Sequence, residues 1–313
     1  MICAISVKDR LKNQAAASGK TFQEALTAYG LERTVYRLSM SEYKECFTLK
    51  GGIFLYALFE GEFARATRDI DLLAKNMPNN VEDMKKVFEI IFSIECDDAL
   101  KFDLDTLEVK DITEFKEYHG VNVSIMAYLD RTKVPVLIDI GFGDVIYPDR
   151  VKMEFPVLLD MEVPEIYAYS ISSVISEKFE AIVSLGDANS RYKDFYDIYI
   201  LADRYDFNGI ELKEAVRETF KHRDTGFDDI FAFTDDFLAS EIHQSRWKEF
   251  LKKKKALVNA ELEEIVGLLK TMLLPIVDSI ASGTEYSSQW DHTSRSWKYT
   301  ISNNQEANRR WPL

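Results

Sequence analysis

Cysteine and histidine are scarce in this chain and basic residues are outnumbered by acidic ones, and each of these closes off a class of protein. Three cysteines among 313 residues, Cys3, Cys46 and Cys96, are too few and too scattered for a disulfide framework or a zinc site. Each reads as a small apolar residue suited to a reducing cytoplasm. His119, His222, His243 and His292 show no metal-ligand spacing and read as surface or structural residues. Lys and Arg number 39 against 53 Asp and Glu, a formal net charge of -14. The surface as a whole therefore repels polyanions, and a nucleic acid would have to be held through a local basic patch. The densest run, Lys252 to Lys255, reads most simply as the solvated end of a helix. No uninterrupted apolar run reaches about 18 residues, and the opening stretch MICAISVKDRLKNQ has no apolar core, so neither a membrane span nor a secretion signal is expected. A G-x-S-x-G elbow, a Walker A loop, G-x-G-x-x-G, internal repeats and low-complexity segments are also missing.

What is present is an ordinary globular composition, 46% hydrophobic and 29% charged, in a chain long enough for one or two domains with their own cores. Residues 5 to 47 carry apolar positions mostly three and four apart and predict short amphipathic helices. After Gly51-Gly52, IFLYALFEG predicts an apolar helix, and TRDIDLLA a strand. VEDMKKVFEIIFSI predicts an amphipathic helix, and LEVKDI, VNVSIMAYL and VPVLIDIGFGD predict three further strands. From Ile171 to about Ile280 nearly everything reads as helix. A boundary near Glu165 to Ser170 separates a mixed α/β half, residues 1–168 with their helical lead-in, from a mainly helical half, residues 169–313. The tail, with Trp290, Trp297 and Trp311, reads either as a small hairpin packed on the helices or as a partly ordered terminus.

Two features carry chemistry. Side chains at i and i+2 of a strand share a face, so Asp69 and Asp71 would project together while Ile70 enters the core. Two carboxylates that close repel, and a divalent cation between them, with substrate phosphates completing its shell, makes the arrangement favourable. A bare D-x-D is more often a solvated strand end. Here, however, Gly51 and Gly52 open a helix whose N-terminus suits a phosphate. Asp139, between Ile138 and Ile140, is the candidate third carboxylate; ionised inside an apolar run it costs several kcal/mol unless paired or metal-bound. Asp144 reads as a turn residue. Arg191, Asp194 and Asp197, three residues apart, can share one helix face with Lys193 beside them. That spacing fits a solvated ion-pair ladder, but Phe195, Tyr196, Ile198 and Tyr199 make the helix apolar enough to turn these charges toward a cleft.

Gly51-Gly52, the R-x-T-x-D-x-D run from Arg65 to Asp71, and Asp139 resemble the DNA polymerase β-like nucleotidyltransferase superfamily. With SEKFEAIVSLGDANSRYKDFYDIYIL added, the chain resembles the AbiEii family of nucleotidyltransferase toxins from abortive-infection and type IV toxin-antitoxin systems. The resemblance runs in order from about residue 45 to 202. It implies a nucleotidyltransferase domain with a mixed sheet followed by a helical domain. It also implies two Mg2+ ions on Asp69, Asp71 and Asp139, and an NTP as substrate, cradled at Gly51 and Gly52. Arg65, Arg68, Arg191, Asp194 and Asp197 would join the nucleotide site, and Lys178 would neutralise phosphate charge. Two departures stand out: Gly51-Gly52 replaces the usual Gly-Ser, removing a hydroxyl, and RYKDFYD is one residue shorter than the family's later block. The implied partners are a tRNA 3′ end or a protein as acceptor and an antitoxin encoded nearby. Rival readings of the same carboxylates are an adenylyltransferase acting on a small molecule and a nucleotide-binding module without chemistry.

Overall fold

A computed structural model describes residues 2–62, 67–113, 119–227, 229–254, 258 and 260–299, apart from the side chains of 113, 119, 253 and 254. The chain divides into two compact units. One is built chiefly from Met1–Asp144 and Asp149–Ser170, the other chiefly from Val145–Pro148, Ile171–Lys253 and Val258–Leu313.

The first unit opens with α1 (Ala4–Ala17) and α2 (Phe22–Met40). A capping box starts α2: the Thr21 hydroxyl accepts from the Glu24 N–H, and the Glu24 carboxylate accepts from the Thr21 N–H. Then follow β1 (Phe47–Lys50), α3 (Gly51–Leu58), β2 (Ile70–Ala74) and α4 (Val81–Phe92). The strands β3 (Leu100–Thr113), β4 (His119–Leu129), β5 (Thr132–Phe142), β6 (Val151–Glu154) and β7 (Glu165–Ala168) complete the unit. All seven strands form one mixed sheet, in the order β3-β4-β5-β2-β1-β7-β6. At its centre β2 runs parallel to β5 and antiparallel to β1, and β1 runs parallel to β7. The mixed sheet with helices agrees with the expected class. The sequence reading missed β1, β6 and β7, which have four residues each, too few for alternation to show.

The alternation in β5 explains how an aspartate survives inside an apolar run. Val134, Val136, Ile138 and Ile140 are buried, and Val134 packs with Leu26 and Tyr29 of α2. The approach is close enough that a Cβ on Gly30 of α2 would stand 2.5 Å from Val134 Cγ1. Leu137 and Asp139 point to the opposite, more accessible face, where Asp139 is half-buried. The desolvation cost is thus much reduced by strand geometry alone.

The second unit contains α5 (Ile171–Leu185), α6 (Tyr192–Arg204), β8 (Phe207–Asn208), α7 (Gly209–His222), α8 (Asp235–Ala239), α9 (Glu241–Lys254), α10 (Leu262–Ser282), β9 (Ser288–Asp291) and β10 (Ser296–Tyr299). The helix α5 packs on α6 and α7, and α10 packs on the same two helices. By length and composition α10 is apolar enough to cross a membrane, with a mean hydropathy of 1.6. It is nevertheless the core helix of this unit: Ile265, Leu269, Met272, Leu273 and Ile276 are all fully buried. Of the two readings left open for the tail, the hairpin is the one found, β9 pairing with both β10 and β8. Trp290 is buried and donates its indole N–H to the Ala202 carbonyl at 2.8 Å, and Trp297 donates to Met272 at 3.0 Å. Trp311 lies outside the described residues.

Candidate active site

The central strands bring the candidate carboxylates together. Asp71 of β2 is the register partner of Asp139 of β5, and Asp69 sits in the bend just before β2. One carboxylate oxygen from each of the three lies within 4.8 Å of the others, and all three side chains are half-buried. Like charges about 4 Å apart repel by roughly 4 kcal/mol at an effective dielectric of about 20. Three carboxylates brought together in this way repel one another unless countercharge is supplied. Two neutral donors offset part of that repulsion: the Gly52 N–H reaches Asp71 Oδ2 at 3.2 Å, and the Asn122 amide reaches Asp139 Oδ1 at 2.7 Å.

The same row extends across the sheet. Asn122 of β4 is the register partner of Asp139, and Lys50 of β1 that of Asp71, so Asn122, Asp139, Asp71 and Lys50 occupy consecutive strands. Lys50 forms an ion pair with Asp144 at 2.6 Å, its ammonium 5.5 Å from the Tyr169 ring. Asp144 is therefore a buried charge partner and not simply a turn residue.

The glycine pair shapes this centre. Gly51 has φ +63, and a Cβ placed on it would lie 2.0 Å from Asp71 Oδ2 and 2.8 Å from Asp71 Cβ. Only glycine lets the amino end of α3 come up against Asp71. The N-cap residue Lys50 does not cap the helix with its own side chain, and the Asp71 carboxylate takes one of the end N–H groups. Arg68 is exposed ahead of β2; Arg65 lies outside the described residues.

Lys178, Arg191, Asp194 and Asp197 form a cluster of their own in the second unit. Lys178 of α5 donates to Asp194 Oδ1 at 2.8 Å and to Asp197 Oδ2 at 2.7 Å, both carboxylates being fully buried on α6. Arg191, at the start of α6 and half-exposed, places Nε 2.8 Å from Asp194 Oδ2, close enough for an ion pair though not aligned as a hydrogen bond. Burial would push the Asp194 carboxyl up, but the Lys178 ammonium and the Arg191 guanidinium outweigh it and hold it below its usual value. This is no solvated ladder: the two buried carboxylates are paired with cations, and the Lys178 pairs tie α5 to α6.

Among the described residues one further group of ligand type comes together, Asp206, Asp291 and His292. No spacing in the sequence announces it, because 85 residues separate its two halves. Its atoms already serve the hairpin: Asp206 Oδ1 pairs with the His292 N–H and Nδ1, and Lys298 pairs with Asp291. His243 is likewise structural, its buried ring hydrogen-bonded to the Tyr192 hydroxyl at 2.7 Å. The sequence reading missed Asn122 and the partnership of Lys50 with Asp144. Polar residues alternating with Val121, Val123 and Ile125 do mark the face that carries Asn122, but not the strand beside it.

No curated protein matches the chain. Two solved Helicobacter pylori structures align with it: JHP933, at 17% identity over 81% of this chain and 92% of that one, and a protein provisionally named a nucleotidyltransferase, at 14% identity over 82% and 96%. Both have a TM-score of 0.44, and neither bears on the assignment. The family described as nucleotidyl transferase AbiEii toxin, type IV TA system, matches residues 33–267, a span that includes the carboxylate triad, the glycine pair and the Lys178 cluster. The chain belongs to the AbiEii nucleotidyl transferase toxin family.

Proposed function

We propose that the chain transfers a nucleoside monophosphate from an NTP to an acceptor hydroxyl at the triad of Asp69, Asp71 and Asp139. The observation that carries this reading is the convergence of the three carboxylates, within 4.8 Å of one another, beside a helix end that only glycine fits. An all-oxygen, half-buried donor set suits Mg2+. Mg2+ held there, two ions in this reading, would neutralise triphosphate charge and orient the entering and leaving oxygens.

The chain's own residues do the rest. Gly51 and Gly52 offer the amino end of α3 to the triphosphate, and the family resemblance assigns Arg65 and Arg68 to the same nucleotide. The acceptor oxygen forms a bond to the α-phosphorus, the bridging α–β P–O bond breaks, and pyrophosphate leaves. The acceptor's proton passes to Asp139. The same reading gives Lys178 and Arg191 the task of neutralising phosphate charge, and Asp194 and Asp197 that of holding the Lys178 ammonium in place.

Family membership supports a toxin of the bacterial cytoplasm with an antitoxin as partner, and the acceptor in this reading is the 3′ end of tRNA. The net charge of -14 favours a protein or small-molecule acceptor as the alternative. Purified protein with Mg2+, each α-labelled NTP and total bacterial RNA tests both, with Asp69→Ala/Asp71→Ala as control. Label on tRNA-sized RNA that the control lacks supports transfer to RNA. Label on protein moves the assignment to protein modification, and nucleotide binding without pyrophosphate release overturns the transferase reading.

A further inference from the structure

We propose that Asn122 is a positioning residue for the metal-binding carboxylates: its side-chain amide fixes Asp139 so that one oxygen is held and the other is presented. The proposal rests on the triad being a metal site.

Three observations support it. Asn122 lies directly across from Asp139, in a β4–β5 pairing that runs without a register shift from Val121 and Ile140 to Leu129 and Thr132. Every one of those pairs would have to break for the contact to slip. The amide nitrogen stands 2.7 Å from Asp139 Oδ1, and because a carboxylate only accepts, the group facing it must be the donor end of the amide. The core does not demand this side chain: Val121 and Val123 fill the buried face of β4 at 0% exposure, while Asn122 shares the more accessible face with Asp139.

The residue type suits the task. A lysine here would neutralise the triad and compete with a cation, an aspartate would add a fourth negative charge, and an aliphatic side chain would leave Oδ1 unheld. A neutral donor orients the carboxylate without changing the charge offered to a metal, the usual work of groups hydrogen-bonded to metal-ligating carboxylates.

The test is direct Mn2+ binding to the full chain without nucleotide, read from the free-ion electron paramagnetic resonance signal, with metal-free melting measured in parallel. Asn122→Leu should weaken Mn2+ binding about 10- to 100-fold while leaving the metal-free melting temperature near wild type. Asn122→Gln, which restores a donor on a longer arm, should fall between the two. Wild-type affinity in Asn122→Leu overturns the proposal. If that variant fails to fold, Asn122→Gln decides: an affinity between those of wild type and Asp139→Asn supports the role, and one equal to wild type overturns it. Equal weak binding by wild type and Asp139→Asn would instead remove the metal site itself, and the positioning role with it.

Discussion

Replacing Gly51 with alanine separates backbone strain from damage to the site. The residue has φ +63, where a side chain costs about 1–2 kcal/mol. For a unit of this size that is a loss of roughly 2–8 °C in melting temperature. The added Cβ would also stand 2.0 Å from Asp71 Oδ2, where ordinary contact begins at 3.4 Å. Turning the Asp71 side chain cannot relieve the clash, because the Asp71 Cβ itself is only 2.8 Å away; β1 and β2 must separate, and Asp71 moves with its strand. A displacement near 1 Å in a reacting constellation costs about a hundredfold in rate. The matched control is Gly19→Ala: φ there is +66 and nothing lies within 4 Å of the added atom, so it meets the strain alone. Nucleotidyl transfer and melting temperature should be measured for both variants. Both variants should lose stability, Gly51→Ala the more, with a loss of about a hundredfold in kcat/KM confined to Gly51→Ala. If both variants turned over equally well, the contact between Gly51 and Asp71 would have no part in the chemistry.

Further predictions concern charge. Lys178→Met leaves Asp194 and Asp197 buried without their shared ammonium and should cost about 3–5 kcal/mol; Lys178→Met/Asp194→Asn/Asp197→Asn should recover much of that in chemical denaturation. If the triple variant also regains transfer, Lys178 is structural, whereas a stable but inactive one places its ammonium on the substrate. Burial pushes the Glu32 carboxyl up to about 7 from 4.5, against the opposing N–H of Leu158 and guanidinium of Arg33. A raised carboxyl stabilises fully below pH 4.5, and its contribution disappears as pH climbs through about 7, a change on the order of 3 kcal/mol. Glu32→Gln should therefore match wild type near pH 5 and exceed it near pH 8 in denaturant midpoint; a parallel offset at both pH values would refute the assignment. Asp194 runs the other way: its lowered carboxyl stabilises above its unfolded value of 3.8 and loses that contribution as pH falls. Hydrogen exchange resolved by unit should show acid loosening the second unit and base the first.

Much of this was legible in the sequence because the decisive patterns are local. The spacing of Asp69 and Asp71, the glycine pair before an apolar helix, and an aspartate flanked by Ile138 and Ile140 each lie within a few residues. The long strands and most helices were legible for the same reason, their periods of two and 3.6 repeating often enough to count. The short strands β1, β6 and β7 were not, and neither were the partners across strands. That Asn122 faces Asp139, that Lys50 faces Asp71, and that Asp144 takes the Lys50 ammonium depend on strand order, which no local pattern encodes.

The two charged clusters show why motif spacing alone misjudges role. In the triad, three carboxylates meet, Gly52 and Asn122 donate hydrogen bonds that bring no charge, and Lys50 lies across from Asp71 on the next strand. In the Lys178 cluster, two carboxylates meet two cations at 2.7–2.8 Å with both aspartates sealed from solvent. Both groups came from family motifs, yet their charge accounts differ. In the proposed reading the first gains by binding a cation. The second already pairs its carboxylates with cations and links α5 to α6 through Lys178. A motif match identifies both sets, and the charges around each side chain distinguish them: carboxylates gathered on one face of the sheet, against carboxylates already paired with cations.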